Sequence, residues 1–91
     1  MKNQNLRKRR NEYDMVAEIL KITEHPTKKW HIVGRTFSNF NMINYYLARM
    51  LEKDLIIETA GNPHKKSKMY QRTKRGEEYL ELYNNLKEYV E

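Results

Sequence analysis

Asn39, Asn41, Asn44 and Tyr45 are the side chains in this sequence best suited to recognise a surface. A primary amide offers a donor and an acceptor side by side, which matches an adenine edge in the major groove of a duplex. All four fall in Asn39–Lys53, where Phe40, Ile43, Leu47, Met50 and Leu51 recur at helical spacing. That spacing predicts a helix about 22 Å long, with those apolar residues on a buried back. Asn41, Asn44, Tyr45, Ala48 and Arg49 then make up the front, and no carboxylate joins them before Glu52. Ser38 or Asn39 can cap the helix, and Asp54 can end it, since Asp tolerates a left-handed backbone. An ordinary core helix also has a wet polar face, so this segment is weighed with its surroundings.

Other chemistry is hard to find. His25, His31 and His64 are scattered, without the short spacing of a metal or catalytic pair. His31 reads as structural or phosphate-facing rather than as a ligand. No glycine-rich phosphate loop is present among three glycines, and no nucleophile–base set stands out. The expectation is a protein that is not an enzyme and uses no cofactor and no metal. The absence of cysteine excludes disulfides and thiolate metal sites. No apolar run has membrane-spanning length and no signal-peptide core is present, so the expected location is cytoplasmic. It would be nucleoid-associated there, or lie in a host cell's cytoplasm if the protein is viral.

The charge points to a polyanion. Eighteen Lys and Arg against twelve Asp and Glu leave a formal net charge of +6. The cations are segregated. Arg7, Lys8, Arg9 and Arg10 crowd the start, and Lys65, Lys66, Lys68, Arg72, Lys74 and Arg75 form a second run. The last stretch, from Glu77 on, is acidic on balance. Basic runs are often only solvated tails, but sign segregation of this kind suits nucleic-acid contact.

The elements that would position these groups follow in order. At 91 residues the chain is one domain with a small core. Residues 1–10 read as a flexible basic arm. A first helix starts at the cap Asn11, with Glu12 and Asp14 in its first turn and Tyr13, Val16, Ala17, Ile19 and Leu20 on its buried side. Pro26 stops it near Thr23–His25. Thr27–Arg35 is expected to be a second helix capped by Thr27, with Gly34 closing it and Trp30 in the core. Thr36–Ser38 is the turn, with Phe37 filling the gap between helices. Two helices on so short a turn fit a helix-turn-helix.

After Asp54 the pattern becomes β-like: Leu55–Thr59 and Lys68–Arg72 are strands around a turn cluster at Ala60–His64. This hairpin, with its tip over 60–68, would be a wing. Thr73 caps a final helix in which Tyr79, Leu82, Leu86 and Tyr89 follow an a/d-like seam, widened by Leu80, Tyr83 and Val90. That helix is more apolar than a lone small domain should leave wet, which points to homodimerisation through Tyr79, Leu82, Tyr83, Leu86, Tyr89 and Val90. The expected fold is α+β, mostly α: a winged helix-turn-helix of three helices and a two-stranded wing over 11–75, followed by a C-terminal dimerisation helix over 76–91.

The chain also resembles a known family, the small winged helix-turn-helix proteins of archaea and their viruses, including the coiled-coil archaeal chromatin proteins. The matching pieces are Tyr13-Asp14, Ala17-Glu18-Ile19-Leu20, Thr27-Lys28-Lys29 with His31-Ile32, and Phe40, Ile43 and Tyr46-Leu47. They continue through Leu51-Glu52-Lys53-Asp54-Leu55-Ile56 to Tyr70, Thr73, Arg75-Gly76-Glu77 and Leu80. The family usually has Gly where this chain has Asp54, and its turn differs from Thr36-Phe37-Ser38. The resemblance implies a DNA-binding winged helix that dimerises through its last helix.

The expected partners are therefore double-stranded DNA and a second copy of the chain, with no membrane and no small-molecule ligand. Asn39, Asn41, Asn44 and Tyr45 would read bases. Lys28, Lys29, Arg35, Ser38, Arg49, Lys65, Lys66 and Lys68 would hold phosphates, and Arg7, Lys8, Arg9 and Arg10 would act from the arm. Sequence-specific regulation is the leading expectation. A non-specific architectural chromatin protein and a winged-helix protein-interaction module are the alternatives.

Overall fold

The computed structural model describes residues 10–60 and 67–91. Helix α1 spans Glu12–Ile22. Asn11 caps it in both directions: its Oδ1 accepts from Asp14 N–H at 2.9 Å, and its own N–H donates to Asp14 Oδ2 at 3.0 Å. At the other end the buried Thr23 donates its hydroxyl to Ile19 O at 2.8 Å.

The next segment departs from expectation. Pro26 holds the chain extended, and Thr27–Lys28 becomes a short strand, β1. Thr27 does not cap a helix. Its hydroxyl donates backwards, to His25 O at 2.6 Å and Ile22 O at 3.2 Å. Helix α2 starts later, at Lys29, and runs to Thr36 with no side-chain cap. Gly34 does not close it either. The closing residue is Phe37, left-handed at φ 55°, and Ser38 N–H reaches back to Val33 O at 3.1 Å. Thr36 is buried and donates to Ile32 O at 2.8 Å.

Helix α3, Phe40–Glu52, opens with Asn39 Oδ1 accepting from Met42 N–H at 2.8 Å. It ends as the sequence indicates, on Asp54 at φ 61°. Strands β2 (Ile56–Ala60) and β3 (Lys68–Arg72) pair antiparallel from Ile56↔Arg72 to Ala60↔Lys68. β1 adds to the far edge of β3, pairing Thr27 with Tyr70 and Lys28 with Met69. The sheet is therefore three-stranded, in the order β1-β3-β2, and not the expected two-stranded wing. A two-residue strand has too little periodicity to be visible in sequence.

Met15, Ile19, Leu20, Ile32, Ile43, Leu47, Met50, Ile56 and Tyr70 form the core, drawn from three helices and two strands. Trp30 and Phe37, both expected inside, are 62% and 91% exposed, and Phe40 is half exposed. Ile32 and Thr36 occupy the inner face of α2 instead, a turn apart, which rotates Trp30 outward.

Helix α4, Lys74–Glu88, is anchored at its start. Thr73 donates to Asp54 O at 2.7 Å and accepts from Gly76 N–H at 3.0 Å. Gly76 is buried so closely against the chain that a Cβ there would sit 2.3 Å from Leu55 O. Farther along, α4 packs on α1. The Tyr79 hydroxyl donates to Tyr13 O at 3.0 Å, and the Tyr83 hydroxyl donates to Asp14 Oδ1.

Candidate nucleic-acid interface

The back of α3 is fixed by Ile43, Leu47 and Met50, all buried. The front is thereby left outside: Asn41, Asn44, Tyr45, Ala48 and Arg49 are exposed. Tyr45 is held in place from two sides. Its ring meets Tyr46 edge-on at 5.2 Å, and the Arg49 guanidinium lies 5.5 Å from its centroid. Among the described residues neither Asn41 nor Asn44 has a side-chain hydrogen bond, and both are exposed. Asn39 differs, because its oxygen is committed to the cap and only its NH2 is left to donate.

The flanking cations are arranged unevenly. Lys28 and Arg35 are exposed at the two ends of α2, and Lys29 is half-buried. Arg35 makes no ion pair with another described residue. Arg49 leans onto α1, with its Nε 3.3 Å from Glu12 Oε2. That pair is half exposed and weak, so a phosphate can replace the carboxylate. Ser38 turns its hydroxyl inward, to Thr36 O at 3.3 Å. Lys68, at the start of β3, lies 3.7 Å from Glu58 across the hairpin. Arg10 pairs with Glu18 at 2.8 Å and so extends from α1 as part of the folded surface. Arg7, Lys8, Arg9, Lys65 and Lys66, with His64 and the turn at 61–64, lie outside the described residues.

No acidic residue occurs between Glu24 and Glu52. Helices α2 and α3 therefore carry only positive formal charges up to the end of α3, and the carboxylate found against them is that of Glu12, from α1. Trp30, Gly34 and Phe37 are exposed as well, and for Trp30 and Phe37 this is the reverse of the sequence expectation. Nothing in the sequence marks Phe37 as the left-handed residue, since glycine or asparagine is the usual choice at that position.

The second surface lies between α1 and α4. Tyr79 and Tyr83 stack at 6.5 Å and turn toward α1, while Leu82 and Leu86 are 69% and 67% exposed and Tyr89 and Val90 are exposed beyond them. Burial pushes the Tyr79 hydroxyl up to about 12, and burial together with its bond to Asp14 pushes Tyr83 up further. In return the Tyr83 hydroxyl, with smaller help from the Asn11 backbone, holds the Asp14 carboxyl below its usual range.

Among the described residues no group of His, Asp and Glu is placed to hold a metal ion, and no helix is long and apolar enough to cross a membrane.

The same architecture occurs in solved proteins. A PadR family transcription regulator from hypervirulent Clostridium difficile superposes with a TM-score of 0.72 at 22% identity, covering 84% of this chain and 88% of that one. ZitR of Lactococcus lactis, solved wild type in complex with DNA, superposes with a TM-score of 0.56 at 14% identity, covering 80% of this chain and 59% of that one. No curated protein matches the sequence. A model of the winged helix-turn-helix family matches residues 9–91, nearly the full length, and the chain belongs to that family.

Proposed function

We propose that the protein is a homodimeric regulator of transcription that binds double-stranded DNA at preferred sequences. The observation that carries this reading is the open front of α3, with Asn41, Asn44 and Tyr45 uncovered on a face that has no acid from α2 to Glu52. Asn41 and Asn44 read base edges from the major groove, and Asn39 adds the donors of its NH2. Lys28, Lys29, Arg35 and a released Arg49 hold phosphates. Lys68 and the neighbouring Lys65 and Lys66 of the wing do the same, as do Arg7, Lys8, Arg9 and Arg10. The family, and the likeness to a PadR family transcription regulator and to ZitR, which was solved in complex with DNA, support the same reading. Leu82, Leu86, Tyr89 and Val90, beside the Tyr79–Tyr83 stack, supply the dimer contact.

Selection from random duplexes, with sedimentation of the protein alone and with its selected site, tests this. An enriched, two-fold symmetric motif bound by a dimer is expected. Affinity should fall by about 0.9 log units per log unit of salt for each phosphate neutralised. Binding without any enriched motif would instead support an architectural role, which the net charge of +6 also suits. No binding to any duplex would leave a protein-interaction module.

A further inference from the structure

Two residues at the helix-turn-helix turn are of types that their places in the fold do not require. Phe37 holds a left-handed backbone at φ 55°, a conformation that disfavours a bulky side chain and that glycine or asparagine adopts more readily. Burial does not account for it, because the ring is 91% exposed. Gly34 sits inside α2, where glycine weakens a helix relative to alanine. Packing does not require it, because a Cβ there would meet nothing within 4 Å. The two are adjacent in space: Phe37 N–H donates to Gly34 O at 3.2 Å. Departures from local consistency that bring the fold no gain belong at functional contacts.

The surroundings identify the partner. Arg35 stands exposed between the two, and the stretch from His25 to Leu51 carries Lys28, Lys29, Arg35 and Arg49 and no acid. This charge pattern complements a polyanion. The turn also leads directly into Asn39 and the N-terminal end of α3, the end at which Asn41 is exposed.

We propose, resting on the DNA-binding reading above, that Phe37 is a specificity-determining contact whose ring packs on a thymine C5-methyl at the edge of the major groove. Gly34 lacks a side chain so that a phosphate strand can lie against α2 beside it. A phenyl ring suits this task because the thymine methyl is the one apolar feature of the groove.

The test uses the full chain, its selected duplex, and duplexes in which single thymines are replaced by uracil, which removes only the methyl. The wild type should lose about fourfold in affinity at one thymine per half-site, the value of one methyl-sized contact. F37N keeps a residue that accepts the left-handed backbone. It should bind the thymine duplex more weakly, show no thymine–uracil difference at that base, and melt no lower than the wild type. G34A should melt higher and lose affinity on every duplex alike.

A wild type indifferent to uracil at every position would overturn the proposal. So would F37N keeping the discrimination, or F37N melting clearly lower, which would make the ring a structural element. Unchanged affinity in G34A would remove the role of Gly34. A wild type that binds no duplex would overturn this inference together with the function on which it rests.

Discussion

Single residues fix where α4 starts, and Gly76 is the clearest case. Its backbone lies so close to Leu55 O and to Leu20 Cδ2 (2.3 and 2.9 Å from a Cβ placed there) that any side chain must push α4 away from Leu55 and from α1. Gly76→Ala should therefore destabilise by about 2 kcal/mol or more, as overpacking does in a well-filled core, and a thermal melt reads it directly. The same change at Gly34 meets open space, so opposite shifts in melting temperature are expected for the two glycines. Asp54 is strained in the same way as Phe37, but its φ of 61° was foreseeable, because Asp is a residue that accepts that backbone and it follows the last apolar position of α3. Phe37 was not foreseeable. Nothing in its type marks it as a helix-ending residue, and an aromatic in a small domain reads as core.

Among the elements, the contact of α1 with α4 carries a titration. The Tyr83 hydroxyl donates to Asp14, and the Asp14 carboxyl is held low chiefly by that bond. A carboxylate depressed by folding contributes stability above its unfolded value near pH 4, and that contribution is lost as the pH falls through the lower folded value. Tyr83→Phe should cost about 1 kcal/mol at neutral pH, at the low end for a charged acceptor because both groups are partly wet. It should also flatten the acid limb of a stability–pH curve below about pH 4. An unchanged acid limb would mean that Asp14 has another stabilising partner in solution.

Much at this scale was legible. The caps at Asn11, Asn39 and Thr73 are side-chain hydrogen bonds with a known sequence signature, and the backs of α1 and α3 follow helical spacing, except that Tyr13 and Phe40 lie outside and Met15 lies inside. The start of α2 was not legible, because Thr27 can cap a helix or turn back on the preceding chain, and pairing with Tyr70 across the sheet decides between them. The exposed amides of α3 were legible from one face of a helix. The turn of Arg49 toward Glu12 was not, because it depends on how α1 crosses α3.

At the scale of the whole molecule, α4 sets the assembly proposed above. Leu82 and Leu86 stand exposed on α4, outside the core cluster and close to the Tyr79–Tyr83 stack. Changing both to Lys should leave the monomer folded, since neither belongs to its core, and should convert a dimer to a monomer by sedimentation equilibrium. The monomer would lose the gain from engaging two half-sites at once, and its affinity for the selected duplex should fall by at least about tenfold. A doubly substituted protein that sediments as a dimer would move the interface elsewhere.

The central claim is that the amides on the front of α3 read base edges. Paired titrations of the wild type and Asn41→Ala, on the selected duplex and on a scrambled one of equal length, test it most directly. Asn41→Ala should weaken the selected complex by about 1–3 kcal/mol and leave the scrambled complex unchanged. Equal losses on both duplexes, or no loss on either, would contradict it.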